Sequence, residues 1–225
     1  MVMFGARYSF QIPGADTRTL YGVNSTIGGS LTFKTTNNWF FRAEASYIFG
    51  NKLNITRDEI LPNILTSTSE LITGDGIFGS LAFFERGWSL QGKVGKIIPI
   101  LSPNPNCGFF VEGGIGYLTN HIRIETSSYE TTPPQVADDY ARGYDRMRGG
   151  FAFSAEVGYI FLSNDRVKNA ALSFEFVQGK TSSLRDYDFA LMGHDNNIYT
   201  DRYFGLKLSV FIPTYKRQPQ EYYYY

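Results

Sequence analysis

The sequence predicts an all-β protein, an eight-stranded antiparallel up-and-down transmembrane β-barrel. Two observations predict it. First, eight segments alternate apolar and polar residues, the pattern of a strand whose two faces meet different surroundings. Second, the apolar faces of these segments carry no Asp, Glu, Lys or Arg once Lys96 is set aside, although charged residues make up 19% of the chain. An exterior without charges is what a barrel in lipid requires.

The alternation is clear in residues 203–212, where Lys207 lies on one face. The opposite face is apolar and consists of Phe204, Leu206, Leu208, Val210 and Ile212. Seven other segments repeat this pattern and are predicted strands: residues 2–12, 21–34, 39–49, 88–98, 109–122, 151–161 and 170–179. Long polar connections, which we assign to the outer side, alternate with short turns between most of these strands, as in bacterial outer-membrane barrels.

Two places in this pattern need a decision. Residues 77–85 form a short apolar run that fits either a strand or a helical turn. A ninth strand would put long polar loops on both sides of the membrane, so we place this run in the outer loop region. Lys96 interrupts the apolar face of residues 88–98 and predicts a bulge there or the end of the lipid zone.

Composition limits the class of protein. Aromatic residues make up 16% of the chain and 23 of its 225 residues are Gly, which favours strands and turns. Lys plus Arg and Asp plus Glu each total 21, and a net charge of zero argues against a nucleic-acid partner. No apolar run approaches the ~20 residues of a membrane-spanning helix, which excludes a helical membrane protein. No signal peptide is visible, so an exported protein would already have lost it.

The faces opposite the apolar ones carry the charges of the strands. They predict a lumen charge network of four bases and four acids: Arg7, Arg42, Lys93, Lys207, Glu44, Glu112, Glu156 and Glu175. An eight-stranded barrel is just wide enough for side chains to fill it, and buried charges persist when they are paired. We therefore expect a closed lumen. The alternative, a soluble lipocalin-like barrel, would place the apolar faces inside and the charges outside.

Catalytic and metal-binding patterns are weak in this sequence. The histidines are His121 and His194, and the second lies in a loop with several aspartates that could also hold Ca²⁺ through oxygen ligands. A solvated turn explains that loop better, and no cofactor or metal site is predicted. Residues 113–116 are glycine-rich but lie inside a strand, so close packing of strands explains them better than phosphate binding. Cys107 can form no internal disulfide.

The loops and the C-terminus offer candidate surfaces for a protein partner, because Tyr and Arg are enriched at the centres of interfaces. The candidates in the loops are Tyr140, Arg142, Tyr144, Arg146, Arg185 and Tyr187. We divide the chain into a barrel, residues 1–213, and a periplasmic tail, residues 214–225. The tail ends in four further candidates: Tyr222, Tyr223, Tyr224 and Tyr225. These tyrosines would serve either as a displaced aromatic signal for assembly or as a docking peptide.

Several stretches resemble those of a family of small outer-membrane barrels from Bacteroidota, similar in size to PorT and OmpX types. They are RGWSLQGKVGK (86–96), SPNPN (102–106), GYDR (143–146), YIFLSN (159–164) and FIPTYKR (211–217), followed by EYY (221–223). The resemblance covers nearly the whole chain. It implies a barrel in the outer membrane of a Gram-negative bacterium and no catalytic residues.

The function expected from these features is that of a non-enzymatic structural or accessory subunit. The resemblance implies this role by analogy, since barrels of such families act alone or within outer-membrane assembly and secretion machines. The expected partners are outer-membrane lipid and other outer-membrane or periplasmic proteins. Two alternatives stay open: an enzyme acting on lipid or peptide through His194 and nearby acids, and a small-solute pore.

Overall fold

The computed structural model describes residues 1–62, 64–73, 76–79, 81–101, 105–125, 133–162 and 169–214. Its strands are β1 (Val2–Gly14), β2 (Asn24–Lys34), β3 (Trp39–Gly50), β4 (Leu71–Ile72), β5 (Phe78–Gly79), β6 (Ala82–Ile98), β7 (Gly108–Glu125), β8 (Arg148–Leu162), β9 (Asn169–Ser183) and β10 (Ile198–Thr214). Its α-helices are α1 (Ala15–Leu20), α2 (Arg57–Ile60) and α3 (Asp138–Tyr144), and residues Pro134–Val136 form a 3₁₀ turn. No helix in these ranges is long and apolar enough to cross a membrane.

The eight long strands close into one antiparallel barrel. Around the ring they follow the order β1, β10, β9, β8, β7, β6, β3 and β2, and β2 pairs with β1 again. The ring closes between the first and last strands, where Phe4 lies opposite Ile212 and Ile12 lies opposite Phe204. Closure leaves no sheet edge with unpaired backbone groups. The predicted eight-stranded up-and-down barrel is therefore confirmed.

The outward face of the barrel is apolar along most of its height. Phe10, Leu90 and Leu206 are 45%, 63% and 46% exposed to the surroundings, and most other outward positions are also large and apolar. Aromatic residues lie toward both ends, with Tyr47 against Trp88 at one end and Trp39 under the Lys96 ammonium at the other. Soluble proteins rarely expose so large an apolar surface, whereas the hydrocarbon core of a bilayer covers it. The lipocalin-like alternative is wrong, because the strand charges point inward.

Several strands extend beyond their predicted outer ends. Strand β6 begins before residue 88, β10 before residue 203, and β9 continues past residue 179. Near this end the outward face also carries polar side chains, such as Arg202 and Lys180, so the alternation of apolar and polar residues is lost. The alternation of apolar and polar residues therefore marks the lipid-facing part of a strand and not its full length.

Residues 77–85 fall into two parts. The short strand β5 pairs with β4 in a separate two-stranded sheet within the connection from β3 to β6, in agreement with placement in the loop region. Placement of Ala82–Glu85 in the loop was wrong, since they form the first residues of β6 and pair with β7. Of the two explanations for Lys96, the bulge is wrong, because Lys96 pairs with Val111 in an uninterrupted register, and the end of the lipid zone stays a prediction.

The inside of the barrel is built in layers. The inner end, where the short turns lie, is filled by an apolar cluster of Met3, Phe40, Ile97, Cys107, Phe110, Ile160, Leu162, Ala171 and Phe211. Above this inner plug lies a layer of charged side chains. A second apolar layer follows, formed by Ile48, Leu118, Ala152, Val177 and Tyr203. The outer end is covered by packed loops, described below as the outer cap.

Candidate functional site

Eight charged side chains meet in the middle of the lumen and are called the charge layer here. Every barrel strand except β2 contributes: Arg7 from β1, Arg42 and Glu44 from β3, Lys93 from β6, Glu112 from β7, Glu156 from β8, Glu175 from β9 and Lys207 from β10. None of them is more than 6% exposed. Successive side chains of a strand point to opposite faces, and the residues next to each of these eight point outward, so the charged side chains point into the lumen. Four acids and four bases make the layer neutral.

Two lysine ammonium groups form the centre of the charge layer. Lys93 Nζ lies 2.8 Å from Glu175, 3.0 Å from Glu44 and 3.2 Å from Glu156. Lys207 Nζ lies 2.9 Å from Glu44 and 3.2 Å from Glu156, and it also pairs with Glu175. The same three carboxylates therefore bind both ammonium groups. Such mutual satisfaction offsets the desolvation of each charge.

The two arginines join the layer to its surroundings. Arg42 Nη1 donates to both carboxylate oxygens of Glu112, at 2.7 and 2.6 Å, and its Nε donates to Thr32 at 3.1 Å. Its guanidinium also lies 4.9 Å from the centre of the Phe40 ring, which belongs to the inner plug. Arg7 pairs with Glu44. Cation–π contact and charge-assisted hydrogen bonds thus tie the charges to the apolar layer beneath them.

The central carboxylates have the spacing of a metal site. One oxygen from each of Glu44, Glu156 and Glu175 can be chosen so that all lie within 4.8 Å of one another. Oxygens at this spacing could bind a hard cation. Lys93 and Lys207 already donate to these carboxylates, so the chain itself supplies the positive charge there.

Gly114 makes room for the charge layer. A Cβ added at Gly114 would lie 2.5 Å from Lys93 Cγ and 2.6 Å from the carbonyl oxygen of Gly92. The position therefore leaves no space for a larger residue without a shift of β6. A small cavity of about 20 Å³ borders the layer and is lined in part by Gln11, Gln91 and Glu44. This volume holds about one water molecule.

The outer cap is an apolar cluster drawn from several connections. Its buried members are Leu20, Tyr21, Ile60, Leu61, Leu71, Leu81, Ile122, Val136 and Tyr144. They come from α1, α2, the small sheet, β7 and α3, so the segments between strands pack on each other over the barrel mouth. Burial within the cap raises the pKa of the Tyr144 hydroxyl above its ordinary value. The inner plug, the charge layer and the cap thus occupy successive levels of the described interior.

One ion pair fastens the cap to the last connection. Arg185 Nε donates to Asp145 Oδ1 at 3.0 Å, and its Nη2 donates to Oδ2 at 2.5 Å. This hydrogen bonding raises the pKa of the Arg185 guanidinium above its ordinary value. The carbonyl oxygen of Asp145 also accepts the backbone N–H of Ile122 at 2.7 Å. Arg146 Nη2 donates to the carbonyl oxygen of Glu59 at 2.5 Å, which links a third segment to the same corner.

The predicted partner-binding residues divide into two groups. Tyr144 is 8% exposed, and Arg146 and Arg185 are engaged in the bonds that hold the cap. Tyr140 and Tyr187 are exposed, at 62% and 43%. Arg142 is also exposed and pairs with the exposed Asp139 at 2.9 Å. The candidates Tyr222, Tyr223, Tyr224 and Tyr225 lie outside the described residues, as does the predicted tail apart from Thr214.

Tyr140 and Tyr187 belong to an aromatic group at the edge of the cap. Phe189 lies 5.2 Å from Tyr144, 5.8 Å from Tyr187 and 6.4 Å from Tyr140, measured between ring centres. Tyr187 also lies 5.9 Å from the His194 ring. The backbone N–H of Phe189 donates to the carbonyl oxygen of Gly143 at 2.9 Å, so α3 and the β9–β10 connection are held together.

The remaining sequence candidates are spread over the molecule. His194 is exposed on the cap, whereas His121 lies in β7 opposite Arg86. Within the described residues, no hydrogen bond joins either histidine to a serine and a carboxylate. Cys107 is buried in the inner plug, where its thiol donates to the carbonyl oxygen of Leu162 at 3.2 Å. These positions bring together no catalytic group among the residues that the structure describes.

The sequence reasoning missed a second buried polar cluster, between the charge layer and the cap. Asp201 accepts hydrogen bonds from Thr17 at 2.8 Å and Thr181 at 2.7 Å, which attaches α1 to β9 and β10. Glu85 accepts bonds from Asn24 at 2.9 Å and Tyr203 at 3.3 Å. Asp201 shares its face with Lys207 and could have been found by continuing that face outward. Glu85 was hidden because residues 77–85 were assigned to a loop.

No protein-family model and no curated protein sequence matches this chain. Among solved structures, it is similar to Ail, the attachment invasion locus protein of Yersinia pestis, with a TM-score of 0.47 and 8% identity over 93% of this chain and 97% of that one. It is also similar to the outer membrane protein OprG from Pseudomonas aeruginosa, with a TM-score of 0.42 and 9% identity over 93% and 94% of the two chains. Similarity at this level transfers no role, and the Bacteroidota resemblance stays a prediction.

Proposed function

We propose that this protein is a non-enzymatic outer-membrane β-barrel with a closed lumen, and that it acts as a structural or accessory subunit of an outer-membrane protein complex. The observation that carries the proposal is the filled interior. The inner plug, the charge layer and the outer cap occupy the lumen in succession. A barrel that offers no path through its centre acts through its surfaces.

The membrane location is supported by the exterior. Outward positions on all eight barrel strands are occupied mainly by exposed apolar residues, with aromatic pairs toward the ends. Closed barrels are the β-structures that lipid tolerates, because every backbone group is paired within the ring. The longer connections lie at the end that carries the cap, which is the outer end in bacterial barrels.

The partner surface is supported by the exposed edge of the cap. Tyr140 and Tyr187 present aromatic rings to solvent from segments that are fixed by the Asp145–Arg185 ion pair and by Phe189. Rigid aromatic side chains lose little entropy on binding and are common at the centres of interfaces. We infer that these two tyrosines contact a protein partner at the cell surface.

The test is extraction of the protein from its native membrane in mild detergent, followed by mass spectrometry of what co-purifies. The proposal expects a defined partner whose recovery falls in a Tyr140→Ala/Tyr187→Ala variant. Ile77→Ala, which removes an exposed apolar side chain elsewhere in the outer loops, should leave recovery unchanged. A barrel that always emerges alone would contradict the subunit role. Steady single-channel conductance of the purified protein in planar bilayers would contradict the closed lumen.

A further inference from the structure

An apolar groove runs along the lipid-facing side of the barrel. It has a volume of about 470 Å³ and is bordered by β1, β7, β8, β9 and β10. Its walls are largely aromatic and aliphatic, and they include Phe10, Ile12, Phe174, Phe176, Phe204 and Leu206. Its floor contains Ala155, a small outward residue that lies opposite Phe176 of β9 and Gly113 of β7. A concave apolar surface with a floor of this kind has room for a hydrocarbon chain.

The outer end of this groove carries two basic side chains. Arg202 and Lys180 follow Phe204 and Phe176 toward the outer end, on the same outward faces of β10 and β9. Lys180 pairs with Thr200 in the ladder and Arg202 pairs with Gln178, so the two bases are diagonal neighbours. Neither forms an ion pair with a carboxylate among the described residues. Their charges therefore remain available to an anion at this height.

The Arg202 guanidinium is held in place for such a contact. Its Nε and Nη2 donate to Gln178 Oε1, at 3.2 and 2.9 Å, and its Cζ lies 6.0 Å from the centre of the Phe176 ring. Asp16 accepts the backbone N–H of Thr200, two residues from Arg202, at 2.7 Å. A guanidinium with a fixed plane beside an exposed ammonium suits the oxygens of a phosphate group.

We infer that this groove binds a phosphorylated lipid of the outer leaflet, with an acyl chain along the aromatic walls and a phosphate at Arg202 and Lys180. The inference rests on the proposed outer-membrane location, which places the cap and these bases at the outer surface. Charge complementarity selects the occupant, because hydrocarbon alone would need no basic end. An apolar protein segment in the groove would leave these two bases without a partner.

A second groove on the described exterior provides an internal comparison. It has a volume of about 730 Å³, and its lining includes Leu31, Phe33, Phe41, Gly92 and Ile115. Toward the outer end, its strands continue with the aromatic pair Tyr47 and Trp88, and the next outward residue of β6 is Arg86. It is larger and equally apolar, but its outer bases are engaged: Arg86 donates to the carbonyl oxygens of Gly50 and Glu85, and Arg123 pairs with Glu125. We expect it to hold bulk lipid without preference for a phosphate.

The experiment measures binding of bis-phosphorylated lipid A to the full-length protein in mixed micelles. An Arg202→Gln/Lys180→Gln variant should lose about tenfold or more in affinity, since two charged contacts are removed. An Arg123→Gln/Lys96→Gln variant removes two exposed bases from outward positions away from the groove and should bind as the wild type does. Ala155→Trp, which fills the floor, should also weaken binding while leaving both bases in place.

Three results would overturn the inference. Equal affinity for dephosphorylated lipid A would show that Arg202 and Lys180 do not recognise the phosphate. Full competition by inorganic phosphate would show an anion site without a role for the groove. Unchanged binding in the Arg202→Gln/Lys180→Gln variant would place the lipid elsewhere. Failure of this inference can be told apart from failure of the proposed subunit role. The subunit role is tested by the recovery of a co-purifying partner, which the Arg202→Gln/Lys180→Gln variant should leave unchanged.

Discussion

The charge layer and the outer cap occupy the same barrel and are held together by different means. In the charge layer, residues from seven strands satisfy one another through ion pairs, and Lys93 and Lys207 share three carboxylates. In the cap, apolar side chains from separate connections pack together, and one bidentate ion pair between Asp145 and Arg185 fixes a corner. The layer depends on the geometry of the sheet, whereas the cap depends on contacts between distant loops. Damage to the first should therefore reach the whole barrel, and damage to the second should stay local.

The largest effect is expected from Lys207→Met. The change removes an ammonium that pairs with Glu44, Glu156 and Glu175 and leaves buried negative charge without its partner. Breaking a buried pair from one side costs about 3–5 kcal/mol. The free energy of unfolding should fall by this amount in urea titrations in detergent, followed by the gel mobility of the folded barrel.

Two further variants show whether charge balance is the cause. Lys180→Met makes the same change on the outward face, where the lysine is exposed and forms no ion pair with a described carboxylate, so its effect should be much smaller. Combining Lys207→Met with Glu175→Gln removes one charge of each sign and should recover part of the lost stability. A double variant that is less stable than Lys207→Met alone would contradict mutual neutralisation as the basis of the layer.

The charge layer follows from the sequence because the strand period fixes it. Once residues 203–212 place Phe204 outward, Lys207 must point inward, and the same rule orients Glu44, Glu112 and Glu156. The rule says which residues enter the lumen but not which partners they choose. That choice depends on the stagger between strands, which brings Lys93 of β6 against Glu175 of β9. Alternation within one strand carries no information about this stagger.

A more limited effect is expected from Gly143→Ala. A Cβ at Gly143 would lie 2.1 Å from the Phe189 ring, so α3 and the β9–β10 connection would have to separate. Forcing extra volume into a packed site costs about 1–3 kcal/mol. Hydrogen exchange should accelerate at the Phe189 amide, which donates to Gly143, while the amides of the barrel strands keep their protection.

Gly193→Ala is the matched control for this change, because a Cβ there would meet its nearest neighbour, the carbonyl oxygen of Leu191, at 3.9 Å. Exchange in the cap should remain as in the wild type. If Gly143→Ala also unfolded the barrel strands, the cap and the barrel would form one cooperative unit, and the contrast between the two regions would be lost.

The cap could not be derived from the sequence, since its contacts join residues far apart in the chain. Tyr144, Arg146 and Arg185 have the composition of an interface, and that composition suggested partner binding for all of them. The structure uses Arg146 to bind the Glu59 carbonyl and Arg185 to bind Asp145. Tyr and Arg can thus hold loops of one chain together as well as bind a partner protein. Only the solvent exposure of the side chains, which the sequence does not give, separates the two roles.

A smaller effect is expected from Arg185→Lys. The lysine keeps the charge but has no planar fork to match both oxygens of Asp145. Because Arg185 is part-exposed, we expect a loss of about 1 kcal/mol, within the range for a charge-assisted pair near the surface. Exchange at the Ile122 amide, which donates to the Asp145 carbonyl, should rise slightly. Asp145→Asn should raise it further, and exchange in Arg185→Lys at the wild-type rate would show that the fork geometry contributes nothing.

The smallest effect is expected from Tyr140→Ala and Arg142→Ala at the exposed edge of the cap. Tyr140 is 62% exposed, and Arg142 pairs only with the exposed Asp139 among the described residues. Surface changes of this kind usually alter stability by less than about 0.5 kcal/mol. Urea midpoints should therefore stay at the wild-type value, and a loss of partner recovery in these variants would then report lost contact rather than a loosened cap. A marked fall in the urea midpoint would mean that this edge helps to hold the cap, and the division between exposed binding residues and buried structural ones would have to be redrawn.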